Sequence, residues 1–179
     1  MVQNIQIRVL NNSTLAENIP GLAEILMVCV RDGASIGFMS EMPLIEAMEF
    51  WRRVNDRSDA AELVVLGAFV DDELAGTVQL IFSAQPNQPH KANVAKLLVS
   101  PKFRRLGIAR QLMTAIEDLA LEFDRDMLVL DTLSGTSAES LYLGLGWTKV
   151  GEIPRFAFVP EGGEPLPTSV FFKDLSAIS

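Results

Sequence analysis

Leu97-Leu98-Val99-Ser100-Pro101-Lys102-Phe103-Arg104-Arg105-Leu106-Gly107-Ile108-Ala109-Arg110 takes the chain out of an apolar strand, through a cationic turn and into a helix that begins among small residues. The first turn of a helix exposes four backbone N–H groups with no intrahelical partner, and the helix dipole adds positive potential there. Gly107 and Ala109 hold bulky side chains away, so an anion has access to those amides. Lys102, Arg104, Arg105 and Arg110 concentrate positive charge in a chain that has 15 Lys and Arg against 23 Asp and Glu. In physical terms this is a cradle for a diphosphate. No Gly-Lys-Ser/Thr follows, so it is not a Walker loop, and the spacing is not Gly-x-Gly-x-x-Gly. Taken alone, the same residues also describe a plain strand-to-helix turn with solvated arginines.

Outward from this stretch the periodicity is mixed. On its N-terminal side, Asn93 to Val99 reads as a strand that Pro101 stops. On its C-terminal side, Ile108, Leu112, Ile116, Leu119 and Phe123 form one apolar stripe of a helix. Met127 to Leu130 is a short buried strand, and Ser137 to Leu145 a short helix ended by Gly146. Thr148 to Ile153 and Ser169 to Phe172 read as the last strands, with a loop at Pro160-Glu161-Gly162-Gly163. Earlier in the chain, Ile5 to Leu10 alternates as a half-buried strand, and Asn11-Asn12-Ser13-Thr14 is suited to cap a helix that runs to Arg31. Pro43 opens a second helix with a stripe of Leu44, Ala47, Met48 and Trp51. Leu63 to Val70 and Ala75 to Ser83 form a strand pair turning at Asp71-Asp72-Glu73. The order β-α-α-β-β-β-α-β-α-β-β predicts an α/β fold with a mixed central β-sheet and helices on both faces. The strands around residues 93 and 131 are expected to be parallel, because a helix joins them.

Composition removes several classes of chemistry. At 179 residues, with 49% apolar and 21% charged residues, the chain is read as one globular domain spanning residues 1–179. The formal charge of −8 argues against a nucleic-acid or polybasic membrane-binding surface. One cysteine, Cys29, excludes an internal disulfide and a cysteine zinc cage, and one histidine, His90, excludes histidine-rich metal centres. No metal is expected. Gly135-Thr136-Ser137-Ala138-Glu139 fails the Gly-x-Ser-x-Gly elbow at its last position. Ile25 to Val30, the most apolar early stretch, is too short to span a bilayer, and the N-terminus lacks a targeting pattern. A cytoplasmic location is expected.

Arg104-Arg105-Leu106-Gly107-Ile108-Ala109 resembles the Arg/Gln-x-x-Gly-x-Gly/Ala motif of the GNAT superfamily of N-acetyltransferases. The preceding strand, the amphipathic helix, the Leu128-Val129-Leu130-Asp131-Thr132 strand, the Ala138-Glu139-Ser140-Leu141-Tyr142 helix and the Gly146-Trp147 step match it in order. Gly33-Ala34-Ser35-Ile36-Gly37-Phe38-Met39, Lys96-Leu97 and Gly151-Glu152-Ile153-Pro154 bring it nearest to tabtoxin-resistance-type acetyltransferases, and so to antibiotic or toxin resistance. The resemblance implies acetyl-CoA as cofactor. It places the pyrophosphate on the backbone amides of Arg105, Gly107, Ile108, Ala109 and Arg110, with Arg104 at the first position of the motif. Leu106 and Ser137 join the cofactor-binding set. Leu97, Leu98 and Val99 would lie along the pantetheine arm, with the Leu98 amide polarising the thioester carbonyl. An oxyanion donor of that kind contributes about 3 kcal/mol.

Acyl transfer to an amine needs a proton taken from the ammonium, whose pKa is about 10, and one given to the departing thiolate. Tyr142, the only tyrosine, matches the usual general acid of the family; otherwise it is a core aromatic. Asp131, at the end of its strand, is placed to orient or deprotonate an amine; otherwise it caps the next turn. Asn93 stands where related enzymes often carry a glutamate base, so that base is missing, and Glu41 and Glu46 are reserves. Ser35, Phe38, Asn93, Asp131 and Phe156 make up the expected acceptor side. Trp51 and Trp147 are assigned to packing, Cys29 to the core and His90 to solvent.

The expected activity is direct transfer of an acetyl group to a primary amine of a small molecule: an amino acid, an antibiotic, or a toxin such as a tabtoxin-like β-lactam. The alternatives are a non-catalytic acetyl-CoA-binding sensor, for which Asn93 speaks, and a peptide or protein N-acetyltransferase, which needs an open groove that a lid after Ile153 would narrow. A homodimer is compatible with the sequence. No nucleic acid and no membrane is expected as partner.

Overall fold

Asn11 separates the first strand from the first helix, and its Oδ1 accepts the Thr14 N–H at 3.0 Å, as a helix N-cap does. The computed structural model describes residues 4–178. In it the chain runs β1 (Ile5–Leu10), α1 (Asn12–Arg31), α2 (Leu44–Asp59), β2 (Leu63–Val70), β3 (Glu73–Phe82), β4 (Lys91–Val99), α3 (Ile108–Glu122), β5 (Met127–Leu133), α4 (Ser137–Gly144), β6 (Thr148–Val159) and β7 (Gly162–Asp174). That is the predicted order. The strands form one sheet, β1-β2-β3-β4-β5-β7-β6. Only β4 and β5 are parallel.

Alternation along β2 divides the core between the two faces. Leu66, Ala68 and Val70 join Leu112, Ile116 and Phe171 under α3 and α4. Leu63, Val65 and Phe69 join Leu22, Leu26 and Trp51 under α1 and α2. A strand covered on both faces reads as a continuous apolar run, which is why Leu63 to Val70 lacks polar alternation. At 20 residues α1 is long and apolar enough to cross a membrane by composition. Its Leu15, Leu22 and Leu26 are instead fully enclosed in the core.

The C-terminal strands depart from expectation. They extend over 148–159 and 162–174 and reverse at Pro160-Glu161. The segment after Ile153 is therefore the arm of a β-hairpin, not a lid. Pro154, Pro165 and Pro167 disguised it, because proline cannot donate to a ladder and so argues against a strand. Here it is tolerated: β6 is an edge strand, and β7 pairs with β5 only from Thr168 onward. The same pairing carries β5 to Leu133, beyond the expected end at Leu130.

Two irregularities shape the centre of the sheet. In β4, Lys96 and Leu97 both fall between the pairs Gln79↔Ala95 and Thr77↔Leu98, opposite the single residue Val78. This is a β-bulge, and Lys96 takes a left-handed φ of 54° within it. The extra residue puts Val94 and Leu98 on opposite faces of the sheet. In addition, β4 and β5 pair only as far as Asn93↔Val129 and then separate. A cleft opens between them. Gly76 supports this geometry from β3: a Cβ there would lie 2.7 Å from the Leu98 carbonyl oxygen. Gly76→Ala should destabilise the fold by about 1–3 kcal/mol, read as a lower urea midpoint with an unchanged slope.

Candidate active site

Among the described residues, three cavities follow the cleft between β4 and β5. The first, of about 260 Å³, is lined by Val99, Phe103, Arg104, Arg105, Gly107, Ile108, Ala109, Arg110 and Leu141. Gly107 is the N-cap of α3 with φ 79°, and no side chain caps the helix. The first intrahelical bond at this end is from the Gln111 N–H to the Gly107 carbonyl. The amides of Ile108, Ala109 and Arg110 are thus left for a ligand, and a Cβ on Gly107 would meet nothing within 4 Å. Arg105 is held at a φ of 64° in the same turn. This arrangement suits a diphosphate.

The four expected cations are not equivalent. Lys102 is paired with Glu73 at 2.6 Å, and Arg104 with Asp32 just beyond α1. Among the described residues, Arg105 and Arg110 have no carboxylate partner, and Arg110 reaches the Gly144 carbonyl at 3.5 Å. Leu106 packs against the core instead of lining the cavity. Exposed Ser137 lines none of the three cavities; its neighbours Thr136 and Ala138 line the middle one.

The middle cavity, about 190 Å³, is bordered by Leu97, Lys96, Asp131, Thr136, Ala138 and Tyr142 together with the 33–36 loop. Tyr142 is 7% exposed, and its ring packs beside Trp147 and Phe171. Burial, with the Asp131 carboxylate adding to it, pushes the phenol up to about 12, so the hydroxyl is a fixed donor at physiological pH.

Leu98 requires a correction. The Ser100 N–H donates to the Ala75 carbonyl, and the Leu98 carbonyl faces Gly76. In an antiparallel ladder the N–H and C=O of one residue point the same way and alternate along the strand. The Leu98 amide is therefore turned toward β3, and its side chain is buried under α1 and α2. The alternation turns the Val99 N–H to the cleft. Leu97 and Val99 line the middle and first cavities, and Leu98 lines neither.

The third cavity, about 280 Å³, is lined by Ser35, Ile36 and Gly37, by Val94 to Lys96, by Asp131 and Leu133, and by Phe156, Ala157, Leu166, Pro167 and Thr168 of the hairpin. Gly33 and Gly37, both at φ 89°, let the connecting loop turn back over β4. The Ser40 N–H donates to the Pro160 carbonyl at 3.0 Å, tying that loop to the tip of the hairpin. Asp131 stands past the last β4–β5 pair, inside β5 and not at its end, and its Oδ2 lies 3.1 Å from Thr168 Oγ1, whose one proton it shares with the Thr132 carbonyl at 2.9 Å.

Ser35, Asp131 and Phe156 meet at this cavity. Asn93 does not: it sits where β4 and β5 are still paired and lines none of the three cavities. Phe38 stacks edge-on against Phe50 at 5.2 Å and lines none of the three cavities. Glu41 and Glu46 are exposed and outside it. Trp51, Trp147 and Cys29 are buried, and His90 is exposed, as assigned. Sequence reasoning passed over Lys96 and Thr168. The signal for Lys96 was a single cation inside the apolar run Val94 to Val99. Thr168 falls between the expected loop at Pro160-Glu161-Gly162-Gly163 and the strand expected from Ser169.

The sequence model of the acetyltransferase (GNAT) family matches residues 21–147. Among solved structures, the fold is similar to a putative acetyltransferase from Acinetobacter baylyi, with a TM-score of 0.82 and 16% identity over 97% of this chain and 93% of that one. It is also similar to a ribosomal-protein-alanine N-acetyltransferase from Brucella melitensis, with a TM-score of 0.78 and 19% identity over 95% and 99% of the two chains. A third similar structure is a putative acetyltransferase from Salmonella typhimurium with its cofactor acetyl-CoA, with a TM-score of 0.77 and 16% identity over 97% and 95%.

Proposed function

The chain belongs to the acetyltransferase (GNAT) family and draws its acetyl group from acetyl-CoA; from that premise we propose that it acetylates the primary amine of a small molecule by direct transfer. The observation that carries this reading is the small size of the third cavity between its two walls. The hairpin forms one wall, and its tip is hydrogen-bonded to the opposite loop. At about 280 Å³ the cavity falls at the small end of ligand pockets. An amino acid or a compact amino-bearing toxin of the tabtoxin type suits it better than a folded protein surface.

Each group then has a task. The amides of Ile108, Ala109 and Arg110 hold the diphosphate, assisted by Arg105 and Arg110. The β4 edge at Leu97 and Val99 takes the pantetheine arm as an added strand, and the Val99 amide faces the thioester oxygen. Asp131 receives the ammonium and takes its proton directly or through water. The neutral amine attacks the thioester carbon; the C–S bond breaks as the amide forms, and the second N–H proton passes through water to the departing thiolate, giving the free CoA thiol. Tyr142 donates a hydrogen bond to the departing sulfur. Asp131 replaces the base that Asn93 cannot supply. For Asp131→Asn, kcat/KM for the amine should fall about 100-fold, with acetyl-CoA affinity by calorimetry unchanged. Equal rates in the two proteins would remove Asp131 from proton transfer.

The choice of acceptor is tested by release of free CoA thiol from acetyl-CoA. The panel holds amino acids, aminoglycoside-type and β-lactam amines, and peptides with an N-terminal alanine. Preference for the small amines is the expected result. Preference for the peptides would favour a protein acceptor, and thiol release with no member of the panel would favour a binding module.

A further inference from the structure

Among the described residues, the third cavity has one cation and one anion in its lining, Lys96 and Asp131. Lys96 sits on the bulge of β4, and its φ of 54° is a backbone region that a residue with a Cβ rarely adopts. The bulge re-aims its side chain, and burial lowers the pKa of the amine, while Asp131 opposes that shift. The Nζ donates to the Ile36 carbonyl at 2.9 Å. It also lies 5.8 Å from the ring centroids of Phe38 and Phe50. An ammonium has three donors, so donors remain for a ligand. No carboxylate among the described residues comes within the 4.0 Å that defines an ion pair with it. Half-buried and held this way, the cation has no anionic partner among the described residues. Asp131 stands on the other strand of the cleft and is engaged by Thr168.

We propose that Lys96 binds the carboxylate of the acceptor, and that the acceptor is an amino carboxylate: an amino acid or a small molecule built on one. The inference rests on the acetyltransferase reading and narrows it. One positive and one negative group in the cavity match one negative and one positive group in the ligand. The amine lies on Asp131, in the part of the cleft shared with Tyr142. The carboxylate lies on Lys96, and the remaining side chain meets the apolar wall of Ile36, Leu133, Phe156 and Leu166. A doubly charged phosphate would find only one cation here.

The test is initial rates with acetyl-CoA for the proteinogenic amino acids, their primary amides and the corresponding decarboxylated amines. The wild-type protein should show a KM about 10- to 100-fold lower for the best amino acids than for their amides, the size of one charge-assisted hydrogen bond. Lys96→Met should raise the KM of the amino acids to that of the amides and leave the amides unchanged. Lys96→Arg should restore part of the preference. Acetyl-CoA affinity by calorimetry should be the same in all three proteins. The comparison of ligands on the wild-type protein stands even where a variant folds poorly. Equal use of amino acids and amides, or of amines without a carboxylate alone, overturns the inference while leaving the acetyltransferase reading in place. A parallel loss for both ligand classes in a folded Lys96→Met also overturns it. Failure of the wild-type protein to bind acetyl-CoA would strike the acetyltransferase reading itself, and this inference with it.

Discussion

Gly107→Glu is expected to weaken acetyl-CoA binding at least about 100-fold in isothermal titration. Two effects act together. A residue with a Cβ held at the φ of 79° found for Gly107 carries a backbone cost of about 1–2 kcal/mol. The new carboxylate also competes with the diphosphate for the uncapped amides of Ile108, Ala109 and Arg110, where each charge-assisted hydrogen bond contributes about 1.5–3 kcal/mol. Since a Cβ at this position meets nothing within 4 Å, the rest of the fold should survive, and thermal unfolding should remain cooperative. Gly107→Ala separates the two effects: it keeps the backbone cost without the charge and should lose much less. Unchanged affinity in Gly107→Glu would mean that the coenzyme does not sit on the first turn of α3.

Tyr142→Phe is expected to lower kcat by about 100- to 1000-fold, with acetyl-CoA affinity retained. Tyr142 borders the middle cavity together with Leu97 and Asp131, and its ring is fixed by Trp147 and Phe171. Phenylalanine fills the same space, so the change tests the oxygen alone. With its pKa pushed up to about 12 by burial, the phenol lies well above an alkyl thiol at about 8.5. Hydrogen-bond donation to the leaving thiolate is therefore favoured over complete proton transfer. The sign of the pH dependence follows from the raised value: the donor stays protonated below it and is lost only as pH rises through it. No alkaline loss of rate below about pH 10 should be traceable to Tyr142, and none of the wild-type profile in that range should disappear in the variant. Full turnover in Tyr142→Phe would assign the leaving group to water.

Much of this was legible in the chain because it is local. The run from Leu97 to Arg110 places a strand, a cationic turn and a helix N-terminus within one stretch, so main chain and charge are brought together by sequence neighbours alone. The Asn11 cap, the stripe of α3 and the parallel crossover to β5 are local in the same sense. Features that depend on pairing between distant segments were not legible. Pro154, Pro165 and Pro167 argued against strands until β6 was found at the sheet edge and the early part of β7 lay beyond the reach of β5. The bulge at Lys96 exists only relative to β3. It shifts the alternation of every residue after it, so the Leu98 amide meets β3 and not the cleft. Asn93 and Asp131 lie on neighbouring strands, yet β4 and β5 still pair at one and have parted at the other, and that puts Asp131 alone in the cleft. The sequence by itself therefore determined the order of elements and the anion-binding turn, whose hydrogen bonds come from consecutive residues. Only the tertiary structure decided the acceptor side, because its walls come from loop 33–37, β4, β5 and the hairpin, and strand register sets which of their side chains meet.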